Sequence, residues 1–204
     1  YNGTFAEVSA QAKRSGGFVM TGHTTKAIAA QGTKTDVAVT LERTVAKIAV
    51  QASTTAEFSE RYSGKVRINS AVLSKAASRS NLIAQQTPNT GPMTFTHTQA
   101  ADELSGKFRN LFYVPENGEL AEGSRLLLTL GATYDRDGNF STTDDQAEVT
   151  YPVELSGDGA GRFLRNGYYR VQALIDGLTG SELSVSISVA DWEAPVTQSV
   201  NLGQ

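Results

Sequence analysis

The stretch "DVAVTLERTVAKIAV", residues 36–50, changes its buried face midway. Val37, Val39 and Leu41 stand on odd positions, Ala46, Ile48 and Val50 on even ones, and Glu42 and Arg43 lie between the two sets, with Lys47 inside the second. Successive side chains of a strand point to opposite faces, so a flat strand cannot bury both sets on one side. Two devices produce such a change. A β-bulge inserts one residue and shifts the phase by one step. Alternatively, the strand leaves one sheet through a bend and joins another. Both put the change near Glu42 to Val45. Arg43 and Lys47 can lay their stems on apolar surface and keep their charge in water.

Around this stretch the chain reads as all-β. In "SRLLLTLGATYD", Leu126, Leu128, Leu130, Ala132 and Tyr134 share one face. In "QAEVTYPVEL", Ala147, Val149, Tyr151, Val153 and Leu155 do the same, and Pro152, which cannot donate to a ladder, marks an edge strand. "YYRVQALI" groups Tyr169, Val171, Ala173 and Ile175, and "ELSVSISV" groups Leu183, Val185, Ile187 and Val189. "YDRDGN", "SGDGAG" and "DGLTG" supply the turns, the last as a short hairpin. In the first half, "TFAEVSA", "GFVMTG" and "GKVRINSAVL" are strand candidates, with Val66, Ile68, Ser70 and Val72 on one face of the last. No long helical period is present. Regularly spaced strands with Gly-rich turns predict a sandwich.

The chain has 204 residues, 39% hydrophobic and 19% charged, enough to bury a core. Its net charge is -3 and its 18 Lys and Arg are scattered, which argues against nucleic acid as a partner. With no cysteine, thiol catalysis, thiolate metal sites and disulfides are excluded. No apolar run approaches the roughly 20 residues of a membrane helix. The chain starts "YNGTF" rather than with Met, and is expected to be a processed or trimmed product. "AQQTPNTGPMTFTHTQAADELSG" is polar and weakly periodic, so the expected domains are residues 1–89, incomplete at the start, and 90–204.

Catalytic chemistry is not legible. His23 and His97 are far apart and have no second histidine beside them, which reads as surface or turn placement. "GDGAG" at 157–161 is a hairpin loop rather than a phosphate cradle. Asp135, Asp137, Asn139, Asp144 and Asp145 offer oxygens that calcium takes, but the terminal bidentate Glu of an EF-hand is missing and Asp-Gly is a common tight turn. Trp192 is expected to close the core at a strand end, with stacking on a sugar as the other reading. The expectation is no enzyme, no catalytic residue, no cofactor and no tightly bound metal.

Several motifs, in order, resemble fimbrillins, the FimA- and Mfa-like type V pilus subunits of Bacteroidetes-group bacteria. They are "FVMTG", "VTLERTVAKIAV", "VRINSAVLSKAASRSNLI", "LFYVPENGE" and "RNGYYRVQALIDGL…LSVSISVADWE", together covering about residues 18–193. The resemblance implies two transthyretin-like β-sandwich domains, export as a lipoprotein precursor, a cell-surface or outer-membrane location and proteolytic removal of an N-terminal segment. It implies polymerisation by strand donation with other pilus subunits, as a homo- or hetero-polymer. Two departures stand out: the first half is short ahead of its Met-Thr-Gly segment, and the tail ends soon after Trp192. In that tail Val196, Val200 and Leu202 alternate with polar residues and are the candidates for a donated strand, with an ordinary closing strand as the other reading. A surface adhesin, an anchor or a glycan-binding module on the same scaffold is the alternative function, with host or bacterial surface ligands as partners.

Overall fold

Thr44 is where the opening stretch breaks. The computed structural model describes residues 18–77, 80–83, 94–98, 108–179, 183–192 and 196–201. Strand β2 (Asp36–Arg43) runs between β1 (Met20–Thr21) and β11 (Val196–Asn201) in a three-stranded sheet. One residue later β3 (Val45–Thr54) enters a different, four-stranded sheet. Of the two devices open from sequence, the change of sheet is the one used. Val37, Val39 and Leu41 are half-buried on one sheet, whereas Ala46, Ile48, Val50 and Ala52 lie in the main core.

The remaining strands are β4 (Lys65–Ser74), β5 (Thr94–Thr98), β6 (Phe108–Pro115), β7 (Leu127–Asp135), β8 (Gln146–Glu154), β9 (Gly167–Ile175) and β10 (Leu183–Asp191). They form two four-stranded sheets of order β10-β9-β3-β6 and β5-β4-β7-β8. Every pairing is antiparallel except β3 with β9. A parallel pair needs a long crossover, and here the chain makes it by building the second sheet between the two strands. One helix, α1 (Ala56–Arg61), carries the chain from β3 to β4. Thr55 caps it by accepting from the Phe58 N–H at 3.2 Å, and Phe58 is buried.

One core joins the two sheets. Ile48, Val50, Phe112, Tyr169 and Val171 from the first meet Leu73, Leu128, Leu130 and Tyr151 from the second. The alternating runs read in "SRLLLTLGATYD" and "YYRVQALI" are the buried faces of β7 and β9. Pro152 lies in β8, an edge strand, as expected. "DGLTG" connects the antiparallel β9 and β10.

The core also crosses the domain boundary expected at residues 89 and 90. β3 pairs with β6 and β9, and β4 pairs with β7. Strands β3 to β10, drawn from both sides of that boundary, therefore share two sheets and one main core. The physical reason is that the apolar face of β3 is buried in one cluster drawn from both halves, Ala71 and Leu73 from the first and Phe112, Leu128, Leu130 and Tyr151 from the second. The polar segment that suggested a linker contains β5, hydrogen-bonded to β4.

A second reading is corrected in β4. Its ladder with β7 shifts register between Ile68 and Ser70. This β-bulge moves the buried set from Val66 and Ile68 to Ala71 and Leu73, so Ser70 and Val72 do not share the face of Ile68. Gly131 stands opposite Ser70, where an added Cβ would lie 2.6 Å from the Ser70 hydroxyl. The segment "TFAEVSA" lies outside the described residues.

Candidate functional site

The sheet change at Thr44 is held by polar contacts from three parts of the chain. The Thr44 N–H and hydroxyl both donate to the Val19 carbonyl, at 3.1 and 3.3 Å. The Thr44 carbonyl accepts from the Ser80 hydroxyl at 3.0 Å. Asn166, in the left-handed region at φ 58°, donates its N–H to the Val45 carbonyl at 2.9 Å, and its Oδ1 accepts from Arg43 at 3.0 Å.

Beside it lies a buried guanidinium. Arg165 Nε donates to Glu116 Oε2 at 2.9 Å and Nη2 to Glu116 Oε1. Nη2 also donates to the Asn81 carbonyl at 2.7 Å, and Nη1 to the Leu82 carbonyl at 3.1 Å and to the Thr21 hydroxyl at 3.3 Å. All of the guanidinium's donating nitrogens are engaged, so it ties β1, residues 80–82 and the end of β6 together rather than waiting for an anion. Sequence reading quoted "LFYVPENGE" and "RNGYY" as separate motifs and missed that Glu116 and Arg165 meet. The available signal was a charge of each sign at a strand end beside Gly and Asn.

Trp192 closes a small second core rather than the main one. It stacks on Tyr113 at 5.5 Å and meets Phe18 edge-on at 5.3 Å, with Val45 beneath. Arg43 lies 4.7 Å above its ring, and Lys47 Nζ lies 4.3 Å above Tyr168. The two cations of the opening stretch thus rest on aromatic faces, each contact worth about 0.5–1 kcal/mol at a partly exposed site. Burial, then the neighbouring Tyr168, pushes the Tyr113 hydroxyl above its ordinary range.

One edge of the sandwich is β10, which, like the edges β5, β6 and β8, pairs with a strand on one side only. Its core-side residues Leu183, Val185 and Ile187 are only partly covered, and Val189 is 55% exposed. An edge with free main-chain groups and a half-covered apolar row is a template for a further strand. The donor candidates lie elsewhere: Val196 and Val200 stand in β11, their main chains in register with Leu41 and Val37 of β2. Leu202 lies outside the described residues.

Of the other flagged groups the two histidines stand apart, and only three of the carboxylates converge. His23 is exposed beside a recess of about 180 Å³ lined by Thr21, Gly22, Thr40, Glu42, Ile83 and Arg165. His97 is in β5, opposite Ala71. In the β7–β8 hairpin, Asp135 accepts from the Asn139 N–H at 2.8 Å and from Gln146 at 3.0 Å, and Asp145 accepts from the Asp137 N–H at 3.0 Å. One ligand atom each from Asp135, Asp137 and Asp145 lies within 4.8 Å of the others. No helix among the described residues is long and apolar enough to cross a membrane.

No family model matches the sequence, and no curated protein matches it. Solved structures do. One, from Bacteroides eggerthii, is described as a putative cell adhesion protein; it has a TM-score of 0.52 and 16% identity, over 76% of this chain and 57% of its own. A cell adhesion protein of the same description from Parabacteroides distasonis gives 0.50 and 14%, over 74% and 53%. A fimbrilin from Porphyromonas gingivalis gives 0.44 and 16%, over 74% and 59%. The chain thus spans little more than half the length of these proteins. Its fold is that of the first two, both described as cell adhesion proteins.

Proposed function

We propose that this chain is part of a structural subunit of a cell-surface fimbria, or of an adhesion protein built like one, and that it joins its neighbours by exchanging a strand. The reading includes an extracellular, outer-membrane-linked location and other pilus subunits as partners. It takes the described sandwich as one transthyretin-like unit, with the sheet of β1, β2 and β11 leading out of it. The observation that carries the proposal is the β10 edge, where Val189 is 55% exposed on the core side of a sandwich strand. A donated strand would pair with the free edge of β10 and set apolar side chains beside that row at every second position. Full burial of one such Val or Leu is worth about 1.5–3 kcal/mol, so two or three anchors are needed before ordering costs are met. The tail segment with Val196 and Val200 belongs to neither sheet of the sandwich and is held by β2 alone, the pairing it would give up as a donor.

The absence of native cysteine makes the test clean. Protein carrying Val189→Cys is mixed with protein carrying Val200→Cys under mild oxidation. Strand exchange predicts a mixed disulfide dimer that dominates over either self-dimer. Mixed and self-dimers in statistical proportion would count against exchange between these two segments.

A further inference from the structure

The outer face of the β10-β9-β3-β6 sheet carries an uneven charge. Core positions alternate with outward ones, so residues 47–53 on odd numbers, 168–174 on even numbers and 184–190 on even numbers face away from the core. Together with Leu111 and Tyr113 of β6, these positions hold two cations, Lys47 and Arg170, and no carboxylate among the described residues. The chain as a whole has 21 Asp and Glu and a net charge of -3. Carboxylates lie instead on the opposite sheet, as Glu148 and Glu154 of β8, and in the β7–β8 hairpin. On the first sheet Gln51, Gln172, Ser186 and Ser188 lie around Arg170, the last three of them exposed, while Lys47 lies among Tyr113, Tyr168 and Trp192.

We infer that this face binds an acidic polysaccharide, a polymer of hydroxylated sugars bearing carboxylates or sulfates at intervals. Charge complementarity argues for an anion: a face free of carboxylates on an acidic protein does not repel it. Its form argues for a sugar chain. Ala49 pairs with Arg170 and Lys47 with Tyr168, which sets the two cations one strand and two residues apart, roughly 8 Å on the sheet lattice. Around Arg170 are the hydroxyls of Ser186 and Ser188 and the amides of Gln51 and Gln172, the partners that sugar hydroxyls take. Nucleic acid fits less well. Tyr168 has Lys47 at 4.3 Å and Arg170 at 5.0 Å from its ring, so the ring is already engaged rather than free to stack a base. The inference goes beyond strand exchange, since a monomer that never assembles keeps this face.

The test uses the folded chain and three immobilised probes: heparin, neutral dextran and oligothymidylate. The chain should bind heparin in a salt-sensitive way and leave dextran unbound. Ser186→Glu with Ser188→Glu places two carboxylates on exposed edge positions and should weaken heparin binding by roughly tenfold. Arg170→Gln, a milder change at an exposed site, should weaken it by a few-fold and lower its salt dependence. Thr150→Glu, on the outer face of the opposite sheet, should leave it unchanged. Thermal melting shows that each variant is folded, and Arg170→Gln decides the outcome if the double variant is not. No heparin binding by the parent chain, or equal binding by the folded face variants, overturns the inference. Oligothymidylate held as tightly as heparin overturns the sugar assignment. Binding that persists where the cysteine pair forms no mixed disulfide removes strand exchange alone.

Discussion

Arg165 has a side chain only 5% exposed and Glu116 one of 10%, so neither charge can turn to water if its partner is lost. A buried pair of this kind adds little net stability over apolar residues of the same volume, but breaking it is expensive. Arg165→Leu should therefore lower unfolding free energy by about 3 kcal/mol, most of it the cost of leaving Glu116 unpaired. Adding Glu116→Leu to that variant should recover part of the loss, which denaturant melts of the two singles and the double would measure. Because Arg165 also reaches Thr21 and the Asn81 and Leu82 carbonyls, some of the loss should remain in the double variant. Trp192 is the single tryptophan of the chain and packs on Phe18, just ahead of β1. Its fluorescence reports whether that end of the molecule loosens along with the core.

The β7–β8 hairpin shows an element carrying a local conflict. Its turn is bonded by carboxylates, yet three of them crowd together. At Asp137 the Asn139 N–H favours the ionised form, but the carboxyl of Asp135 and the charges of Asp145 and Asp135 outweigh it and raise the pKa above the ordinary range. At Asp135 burial opposes ionisation, and hydrogen bonds from Gln146, Asp137 and the Asn139 and Gly138 N–H groups outweigh it, lowering the pKa. The signs are opposite. A carboxyl with a raised folded pKa supports the fold while protonated, and that support is lost as pH rises from the ordinary Asp value through the raised one. A carboxyl with a lowered folded pKa supports the fold above the ordinary value and loses that support as pH falls through the lowered one. Asp137→Asn keeps an acceptor for the Asn139 N–H and removes one charge of the three. It should raise the melting temperature at neutral pH and lose that advantage below the carboxylate range, as a pH series of thermal melts would record. A variant that melts lower at neutral pH would mean that the charge of Asp137 stabilises the turn.

For the whole molecule, the tail and the sandwich are separate in their pairing. β11 bonds to β2 and to neither sheet of the main core. Val200→Asp should therefore leave the cooperative melt of the sandwich within about 0.5 kcal/mol of the parent, as expected of a substitution remote from the core. If the tail is the donor, the same change abolishes assembly, seen as loss of filaments or of high-mass species by light scattering. Unfolding of the variant would make the tail a structural strand of its own chain. Normal assembly would remove it as the donor.

Local pattern was enough for the strands themselves. Period-two alternation in "SRLLLTLGATYD", "YYRVQALI" and "ELSVSISV" gave β7, β9 and β10, because each strand reaches its own sheet with one face inward and the turn residues fix its ends. The phase change at 36–50 was visible for the same reason, as was its position near Thr44. Which device produced it was not, since a bulge and a change of sheet leave the same alternation in one sequence. The bulge at Asn69 was missed because Val66, Ile68 and Val72 keep an even spacing that looks continuous, and only the ladder with β7 shows the extra residue. The sharing of sheets across residues 89 and 90 is a non-local fact. Pairing β3 with β9 depends on apolar surfaces more than 100 residues apart in the chain, and no stretch of sequence records which distant face will cover it. The same holds for Glu116 with Arg165, two ordinary surface residue types that only the tertiary structure removes from water together.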